Sequence, residues 1–270
     1  MYIYYGVCVC IFGLVFGSFL NCTAMRLVRG EDFVRGRSRC PLCGHELSAI
    51  ELIPVVSFLI QKGRCRHCRG RISPRYCITE IVFAVLSLGL FIRLILGRGD
   101  VSYAEIMIFF RDWILTGCLF IITLTDLENF EIYDGVLLFG FLDYILFSVI
   151  LLITADISIK EVIMNFASGL LTGAVILIFS LIMDRILKKD SLGGGDIKLF
   201  ALLGLFLGFF GAYELIVISC LLGLAFAGIR RLLMPKAPSE FPFGPAIAAS
   251  GYILLLFEKN ITGWYLGFLL

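Results

Sequence analysis

Two cysteine pairs in this sequence have the spacing of metal-binding knuckles. Cys40 and Cys43 form one C-x-x-C pair, Cys65 and Cys68 form the second, and residues 44–64 separate them. Four thiolates at this spacing suit a closed tetrahedral zinc site. A redox-active pair is disfavoured because two matched pairs occur and no βαβ pattern surrounds them. We therefore predict a structural zinc site without an open position for catalysis.

The residues beside the cysteines refine this prediction. Gly44 and Gly70 follow the two pairs and are expected to allow the tight turns that point the sulfurs inward. His45 and His67 could each replace a cysteine as ligand, but the complete cysteine set favours solvated loop residues.

A second motif places an acid directly after three glycines. Gly193, Gly194 and Gly195 precede Asp196, which opens a long apolar stretch. A helix N-cap at Asp196 would explain one acid and one glycine. An N-cap explains the run of three glycines less well. Glycine also lets another backbone approach closely, which is a second reason for its presence here. We predict that Asp196 is catalytic and that the glycines admit a substrate backbone.

An aspartic protease needs a second carboxylate on the same side of the membrane. Asp126 ends an apolar helix, where a carboxylate opposes the negative end of the helix dipole, so structure alone does not favour it there. Asp134 and Asp143 are the other candidates, and a helix N-cap and an interhelical hydrogen bond explain them respectively. We predict that Asp126 is the partner of Asp196.

The segment 126–134 contains four acids and no base. Glu128 and Glu131 lie inside it. Acidic residues do little to set membrane topology, so this segment is free to serve another purpose. One hypothesis is that it attracts a basic peptide to the site. An ordinary solvated turn is an equally weighted alternative.

The composition indicates the elements that must position these residues. The chain has 270 residues, of which 60% are hydrophobic and 16% charged. Soluble domains have roughly 45–50% apolar and 25% charged residues. These values exclude a soluble enzyme, a disordered chain and a disulfide-stapled secreted module. They predict an all-α polytopic membrane protein with about eight transmembrane helices, at 2–24, 77–96, 106–125, 135–153, 161–183, 197–210, 213–229 and 245–268.

One polar insertion interrupts the apolar chain. Residues 26–76 carry eleven of the 23 basic side chains and four acids, so their net charge is +7 and that of the remainder is −5. We predict a first transmembrane helix at 1–25, a four-cysteine zinc domain at 26–76 and a transmembrane core at 77–270. A metal staple is plausible because so small and charged a domain has little core of its own.

The distribution of lysine and arginine predicts the orientation. If the 26–76 domain lies on the cytoplasmic side of the membrane, the connections on that side contain 18 of the 23 basic residues. The N-terminus is then outside, and the zinc domain, Asp126 and Asp196 are cytoplasmic, where a reducing environment disfavours disulfides. Residues 1–24 lack the basic start of a signal peptide. Nucleic-acid binding by the basic domain is disfavoured, because attraction to anionic lipid headgroups explains its charge more simply.

Taken together and in this order, the motifs resemble those of bacterial prepilin peptidases, the type IV leader peptidases of the GxGD aspartic protease group. The resemblance covers nearly the whole chain. It includes both cysteine pairs and these further runs: Gly17-Ser18-Phe19-Leu20-Asn21, Ile53-Pro54-Val55-Val56-Ser57, Tyr76 with Glu80, Asp126-Leu127-Glu128, Gly193 to Leu199, and Pro242-Phe243-Gly244-Pro245.

The resemblance implies a concrete activity. Members of the family remove a short basic leader from the N-terminal segment of prepilins or pseudopilins, at the cytoplasmic face of the bacterial inner membrane. Their two catalytic aspartates correspond to Asp126 and Asp196. Bifunctional members then methylate the new N-terminus with S-adenosylmethionine. Members with peptidase activity alone typically lack the cysteine-rich domain, so its presence favours both activities here.

Some expectations stay open at this point. The family often has an Ile-Pro-Asp-like run where this chain has Ile132-Tyr133-Asp134, so the proline that would set the start of the next helix is missing. No glycine-rich cofactor fingerprint is present, so the cofactor-binding residues are unknown. Glu80 is a guess for methyl transfer, and a buried polar contact is its favoured alternative.

Three alternative functions remain. The first is a protease of the same fold that acts on other membrane-anchored substrates. The second is a proton- or cation-coupled transporter, although transporters place paired acids near the membrane midplane, often in repeated halves. The third is an assembly scaffold without enzymatic activity.

Overall fold

The computed structural model describes residues 2–32, 36–95, 101–154, 156–189, 191–233 and 241–269, with side chains described up to Phe257 and at Ile261. These residues form α-helices, with one 3₁₀ turn at Ala49–Leu52 in the polar segment between the first and third helices. The only β pairing among them consists of two isolated bridges. The all-α prediction is therefore confirmed.

Eight α-helices follow one another along the described parts of the chain. Six of them (α1 and α3–α7) are long and apolar enough to cross a membrane. Their bounds are α1 Tyr2–Arg29, α2 Val56–Ile60, α3 Arg75–Ile95, α4 Tyr103–Asn129, α5 Asp134–Ile153, α6 Ile159–Leu187, α7 Gly194–Leu233 and α8 Gly244–Leu269.

The outer surface of the helices is apolar. On α6, Leu170, Ile178 and Phe179 are each more than half exposed. A contiguous apolar face of this kind is unfavourable in water and is covered by lipid in an integral membrane protein. The helix lengths and this surface together show that the chain is an integral membrane protein.

Local sequence determines where two of the long helices begin. Ser102 precedes α4, and its side chain accepts a hydrogen bond from the Glu105 backbone N–H at 3.3 Å, while Glu105 accepts one from the Ser102 N–H at 3.0 Å. Ser158 and Glu161 form the same reciprocal pair at the start of α6. This capping box satisfies N–H groups that have no partner within the helix.

The chain divides into two compact units, residues 1–100 and 101–270. In the first unit, α1 packs closely against α3 through small residues. A Cβ atom on Gly13 would lie 2.7 Å from the Ala84 Cα, and one on Gly17 would lie 3.0 Å from the Glu80 Cα. Helices in lipid associate through such close packing, because burial of apolar surface drives their association little.

The second unit contains α4–α8. Its tightest helix pair is α6 with α7, where a Cβ on Gly204 would lie 3.1 Å from the Gly169 Cα. Helix α4 packs against α5 and α8, and α7 packs against α5, α6 and α8. Helix α7 is therefore central to this unit.

Helix α7 is interrupted at one residue. Gly208 has φ 67° and ψ −175°, which is not helical. Phe243 contacts Phe200, with ring centroids 6.2 Å apart, and a Cβ on Gly223 would lie 2.7 Å from its ring. An unbroken helix would separate residues 200 and 223 by about 35 Å. The two halves of α7 therefore fold back on each other.

This break accounts for the sixth and seventh predicted spans. The turn expected over residues 208–214 is reduced to Gly208 alone, and the helix resumes at once. The first half, residues 194–207, rises about 21 Å, which is less than the about 30 Å thickness of the hydrocarbon core. At least one end of this half therefore lies within the hydrocarbon core.

The turn before α5 tolerates the missing proline. Tyr133 is the residue before α5 and has φ −76° and ψ 123°. Proline restricts φ to about −65 ± 15°, so Tyr133 adopts the conformation that proline would impose. The departure from the family pattern leaves the local turn intact.

Alanine at position 208 should destabilise the second unit. The backbone conformation of Gly208 is essentially restricted to glycine, and a side chain there costs about 1–3 kcal/mol. We expect Gly208→Ala to lower the thermal unfolding midpoint of the purified protein in detergent. Gly228→Ala is the matched control on α7, because a Cβ there meets open space. Equal midpoints for the two variants would contradict this account of the break.

Candidate active site and metal centre

Asp126 lies in the last turn of α4 and is 5% exposed. Helix α4 runs on to Asn129 and ends at Phe130, which is left-handed with φ 57°. The Asp126 Oδ2 accepts a hydrogen bond of 2.8 Å from the backbone N–H of Gly244, the first residue of α8. The N–H groups at a helix start have no partner within the helix and stabilise an anion.

Gly244 is a site residue for which the sequence analysis assigned no role. A Cβ at this position would lie 2.8 Å from the Asp126 Oδ2, so a larger residue would displace the carboxylate or the helix start. Its sequence signal is the Pro242-Phe243-Gly244-Pro245 run, where a glycine opens an apolar helix.

Asp196 lies in the first turn of α7 and is partly exposed. Its carboxylate accepts a hydrogen bond from the backbone N–H of Gly193 and experiences electrostatic repulsion from Asp126. The two predicted aspartates, from different helices, therefore lie within electrostatic range of each other. One of them is buried and the other is reachable by water.

The three glycines before Asp196 have different surroundings. A Cβ on Gly195 would lie 2.8 Å from the Ile132 Cβ, so this glycine lets the α4–α5 connection approach α7. A Cβ on Gly193 would lie 3.3 Å from the Asp196 Oδ2, and one on Gly194 would meet nothing within 4 Å. Gly194 therefore leaves open space two residues before Asp196.

The acidic segment is shorter as a loop than expected. Glu128 belongs to the last turn of α4, and only residues 130–133 connect α4 to α5. The Glu128 and Glu131 side chains are both exposed. Burial raises the pKa of the Tyr133 phenol, and the negative charge of Glu131 raises it further. The connection therefore presents negative charge to solvent.

The two other aspartate candidates lie in different environments. Asp134 pairs with Lys198 at 2.6 Å, and both side chains are exposed. Asp143 is buried within electrostatic range of Arg111 and Asp112. Asp112 precedes Asp126 by fourteen positions on α4, a rise of about 21 Å, so Asp143 lies far from the Asp126 carboxylate.

The four predicted cysteines converge in the first unit. Their Sγ atoms all lie within 4.8 Å of one another. Cys40 and Cys65 are buried, whereas Cys43 and Cys68 are exposed. In a tetrahedron with Zn–S bonds of about 2.3 Å the sulfurs lie about 3.8 Å apart, so the cluster fits a zinc ion.

The two knuckles have the same backbone hydrogen bonds. The Gly44 N–H donates to the Cys40 carbonyl at 2.9 Å, and the Arg69 N–H donates to the Cys65 carbonyl at 3.0 Å. Gly44 has φ 72°, as the prediction requires, but in the second knuckle Arg69 has the positive φ of 61°. Gly70 serves a different purpose, because a Cβ there would overlap the Leu42 side chain.

The histidines beside the cysteines are exposed and stack on each other. The His45 and His67 ring centroids are 4.6 Å apart and the rings are 9° from parallel. Neither belongs to the group of converging metal-ligating atoms found among the described residues. This placement agrees with the expectation of solvated loop residues.

Glu80 lies on α3 and is 8% exposed. Its Oε2 accepts a hydrogen bond of 2.7 Å from the backbone N–H of Val55. The buried polar contact that was the favoured alternative for Glu80 is therefore present.

Comparisons with known proteins agree with this arrangement. A sequence profile of the Bacterial Peptidase A24 N-terminal domain matches residues 11–94, and one of the Type IV leader peptidase family matches residues 113–228. A prepilin leader peptidase/N-methyltransferase of Aeromonas hydrophila is 31% identical over 283 residues, which cover 95% of this chain and 92% of that protein. The chain belongs to the type IV leader peptidase family.

Other members of the family align with similar completeness. A protein of the same name from Bacillus subtilis is 31% identical over 257 residues, which cover 95% of this chain and 96% of the relative. One from Pseudomonas aeruginosa is 30% identical over 294 residues, covering 97% and 93%. No solved structure matches this chain.

The family matches correspond to the two structural units. The first lies within residues 1–100, which contain the cysteine cluster, and the second contains both Asp126 and Asp196. The predicted family is confirmed, and the chain is a membrane peptidase.

Proposed function

We propose that this protein is an aspartic endopeptidase that removes the basic leader of type IV prepilins or pseudopilins at the cytoplasmic face of the bacterial inner membrane. The observation that carries the proposal is that Asp126 and Asp196, from different helices, lie within electrostatic range of each other. Family membership and the name of the relatives support the substrate class. The positive-inside distribution of lysine and arginine supports the orientation.

The two aspartates divide the work of peptide hydrolysis. One carboxylate takes a proton from water, whose oxygen attacks the scissile carbonyl carbon, while the other, protonated, donates a hydrogen bond to the carbonyl oxygen. The leaving amine then receives a proton, and the peptide C–N bond breaks. Partial exposure of Asp196 gives water access, and the Gly244 N–H holds the buried Asp126 in place.

Glycines before Asp196 leave space for a substrate backbone next to the candidate catalytic aspartates. An extended substrate backbone needs room for its own carbonyl and N–H groups beside the reacting bond. Gly194 leaves that room, and Gly193 adds no side chain next to the Asp196 carboxylate. We propose that Gly193 and Gly194 admit the substrate backbone, whereas Ile132 fills the space beside Gly195.

Asparagine at either catalytic position should abolish cleavage. Asp126→Asn and Asp196→Asn each remove a proton carrier, and we expect the cleavage rate of a prepilin-like peptide to fall by about 10²–10⁴-fold. Asp134→Asn is the matched control, since this acid pairs with Lys198 on the surface, where an ion pair contributes little. Cleavage at the wild-type rate by either of the first two variants would exclude this pair of catalytic residues.

We propose that Glu128 and Glu131 attract the basic leader. Both are exposed near the aspartate pair, and charges of one sign beside a site raise the local concentration of an oppositely charged substrate. The double variant Glu128→Lys/Glu131→Lys should lower kcat/KM by about tenfold at low salt, with kcat little changed. Salt should reduce the difference, because it screens exposed charges.

The control for this prediction carries the same charge change elsewhere. Asp156→Lys/Glu161→Lys alters two exposed acids of the α5–α6 connection and its flanking helix. It should cleave with wild-type kcat/KM. An unchanged kcat/KM of Glu128→Lys/Glu131→Lys at low salt would refute the steering role.

We propose that the four cysteines hold a structural zinc ion. The convergence of their Sγ atoms supports this role, and the cluster uses all four tetrahedral positions. The described part of the polar segment 26–76 contains only short helical turns between α1 and α3, so a metal would supply much of its stability. We also propose that residues 26–76 form the zinc domain of the chain.

Loss of one ligand should release the metal. We expect about one zinc ion per chain in the wild-type protein and close to none in Cys40→Ser, measured by elemental analysis, together with a lower unfolding midpoint. Cys220→Ser is the control, because this exposed cysteine lies outside the cluster. Retention of zinc by Cys40→Ser would show that these cysteines do not form the metal site.

We further propose that the protein methylates the N-terminus exposed by cleavage, using S-adenosylmethionine. The relatives are named for both a leader peptidase and an N-methyltransferase. The near-complete overlap with those relatives, including the cysteine-rich segment, supports the second activity.

A further inference from the structure

An apolar run interrupts the basic segment between α1 and α3. Residues 50–60 contain nine apolar side chains and two polar ones, Glu51 and Ser57, whereas the segment 26–76 as a whole has a net charge of +7. The run contains most of the 3₁₀ turn Ala49–Leu52 and all of the short helix α2. An apolar run of this length is too short to cross a membrane and is typical of a core helix or of a segment at the membrane interface.

The side chains of this run do not form a core. None of the residues 50–60 is buried. Leu59 and Ile60, which end α2, are 64% and 73% exposed. Six of its large apolar side chains are exposed, and together we call them the apolar patch: Ile50, Leu52, Ile53, Val56, Leu59 and Ile60. A contiguous patch of this kind is unfavourable in water and marks a surface that contacts another apolar phase.

A hydrogen bond fixes the level of this run along the membrane-spanning helices. The Val55 N–H donates to the Glu80 Oε2 at 2.7 Å. Glu80 lies five residues after Arg75, the first residue of α3, which is a rise of about 7.5 Å. A Cβ on Gly17 would lie 3.0 Å from the Glu80 Cα, and Gly17 precedes the last residue of α1, Arg29, by about 18 Å. Val55 therefore lies beside the first turns of α3 and not beyond the end of that helix.

Lipid-facing side chains occur at the same level of both helices. Phe19 lies two residues after Gly17 on α1 and is 55% exposed, and Ile78 lies two residues before Glu80 on α3 and is 56% exposed. Both helices are long and apolar enough to cross a membrane. Exposed apolar side chains on such helices contact lipid, because water is an unfavourable solvent for them. The apolar patch therefore lies at the depth at which this unit enters the bilayer.

Basic side chains follow the apolar patch directly. The chain turns tightly after α2, where the Gly63 N–H donates to the Phe58 carbonyl at 3.0 Å and the Arg64 N–H donates to the Gln61 carbonyl at 3.1 Å. Residues 62–71 then contain five exposed basic side chains: Lys62, Arg64, Arg66, Arg69 and Arg71. An apolar surface bordered by lysine and arginine is the pattern of segments that lie in the interface of a membrane with anionic lipids.

We propose that the apolar patch inserts into the membrane surface and that the basic residues of 62–71 contact anionic lipid headgroups. The occupant of the patch is lipid, because a segment bonded to the side of α3 at this depth lies next to the bilayer. The insertion holds the polar segment against the membrane at a third place, in addition to its connections to α1 and α3. It also removes from water the apolar surface that the segment cannot bury within itself.

Quenching of tryptophan fluorescence by brominated lipid tests the insertion. Ile60→Trp, in a background of Trp113→Phe and Trp264→Phe, places the only tryptophan of the chain in the apolar patch. The full-length protein is reconstituted in nanodiscs of phosphatidylcholine and phosphatidylglycerol. Its emission should fall by at least about half when the phosphatidylcholine is brominated near the carbonyl end of its acyl chains, because inserted side chains reach this depth.

Glu46→Trp in the same background is the matched control. Glu46 is a charged, exposed residue of the polar segment outside the apolar patch, and its variant should keep most of its emission. Equal quenching of the two variants would overturn the proposal. Ile60→Trp without quenching would also overturn it: emission typical of water would mean a solvated patch, and blue-shifted emission would mean that a second copy of the chain covers it.

A further pair of variants tests the contact with headgroups. Lys62→Gln/Arg64→Gln, added to Ile60→Trp, should shift the insertion equilibrium by at least about tenfold toward the detached state, which lowers the quenching. Lys188→Gln/Lys189→Gln removes the same charge at the end of α6 and should leave the quenching unchanged. Quenching that is the same with and without Lys62 and Arg64 would refute their contact with anionic lipid.

Discussion

The arrangement of helices in the second unit depends on one buried carboxylate, which needs a hydrogen-bond donor at the place where two helix ends meet. Asp126 lies in the last turn of α4, where the helix dipole is unfavourable for a negative charge. The first N–H of α8 compensates, because Gly244 donates to Asp126 across 118 residues of sequence. That bond requires α8 to begin directly at the end of α4, and it requires a residue without a side chain at position 244. The geometry of the candidate site follows from this requirement.

Glycine has a different purpose at each of several positions in the structure. At Gly13 and Gly204 its lack of a side chain lets helices approach closely, which favours helix association in lipid. At Gly208 its backbone freedom permits a reversal within one residue. At Gly195 it brings the α4–α5 connection against the start of α7. Glycines therefore serve both the close packing of the helices and the placement of Asp196 at the start of α7.

The segment between α1 and α3 is organised around polar rather than apolar contacts. The converging cysteines, the bond between Glu80 and Val55 and the buried Asn21 oxygen all lie in or beside this segment, which has little regular structure among its described residues. Such a segment cannot bury enough apolar surface to fix its own conformation. A bound metal and contact with lipid would each contribute the order that packing does not supply.

The sequence alone determined the class of fold, the positions of the helices, the cysteine set and the two aspartates that the structure brings together. These features depend on local patterns: long apolar runs, paired cysteines at fixed spacing, and acids at the ends of apolar helices. Even the choice of Asp126 over Asp143 followed from the position of Asp126 at the end of an apolar helix, where the helix dipole does not favour a carboxylate.

Only the tertiary structure decided the features that arise from contacts between distant segments. It assigned Gly244 to Asp126, reduced the turn in α7 to Gly208, and placed the positive φ of the second knuckle at Arg69 instead of Gly70. It also bonded Val55 to Glu80, which places the apolar patch beside the first turns of α3. Hydrogen bonds and close approaches between distant segments depend on how whole helices pack. No local sequence pattern predicts these contacts. Each residue could pair with many others, and only the folded chain determines which one it contacts.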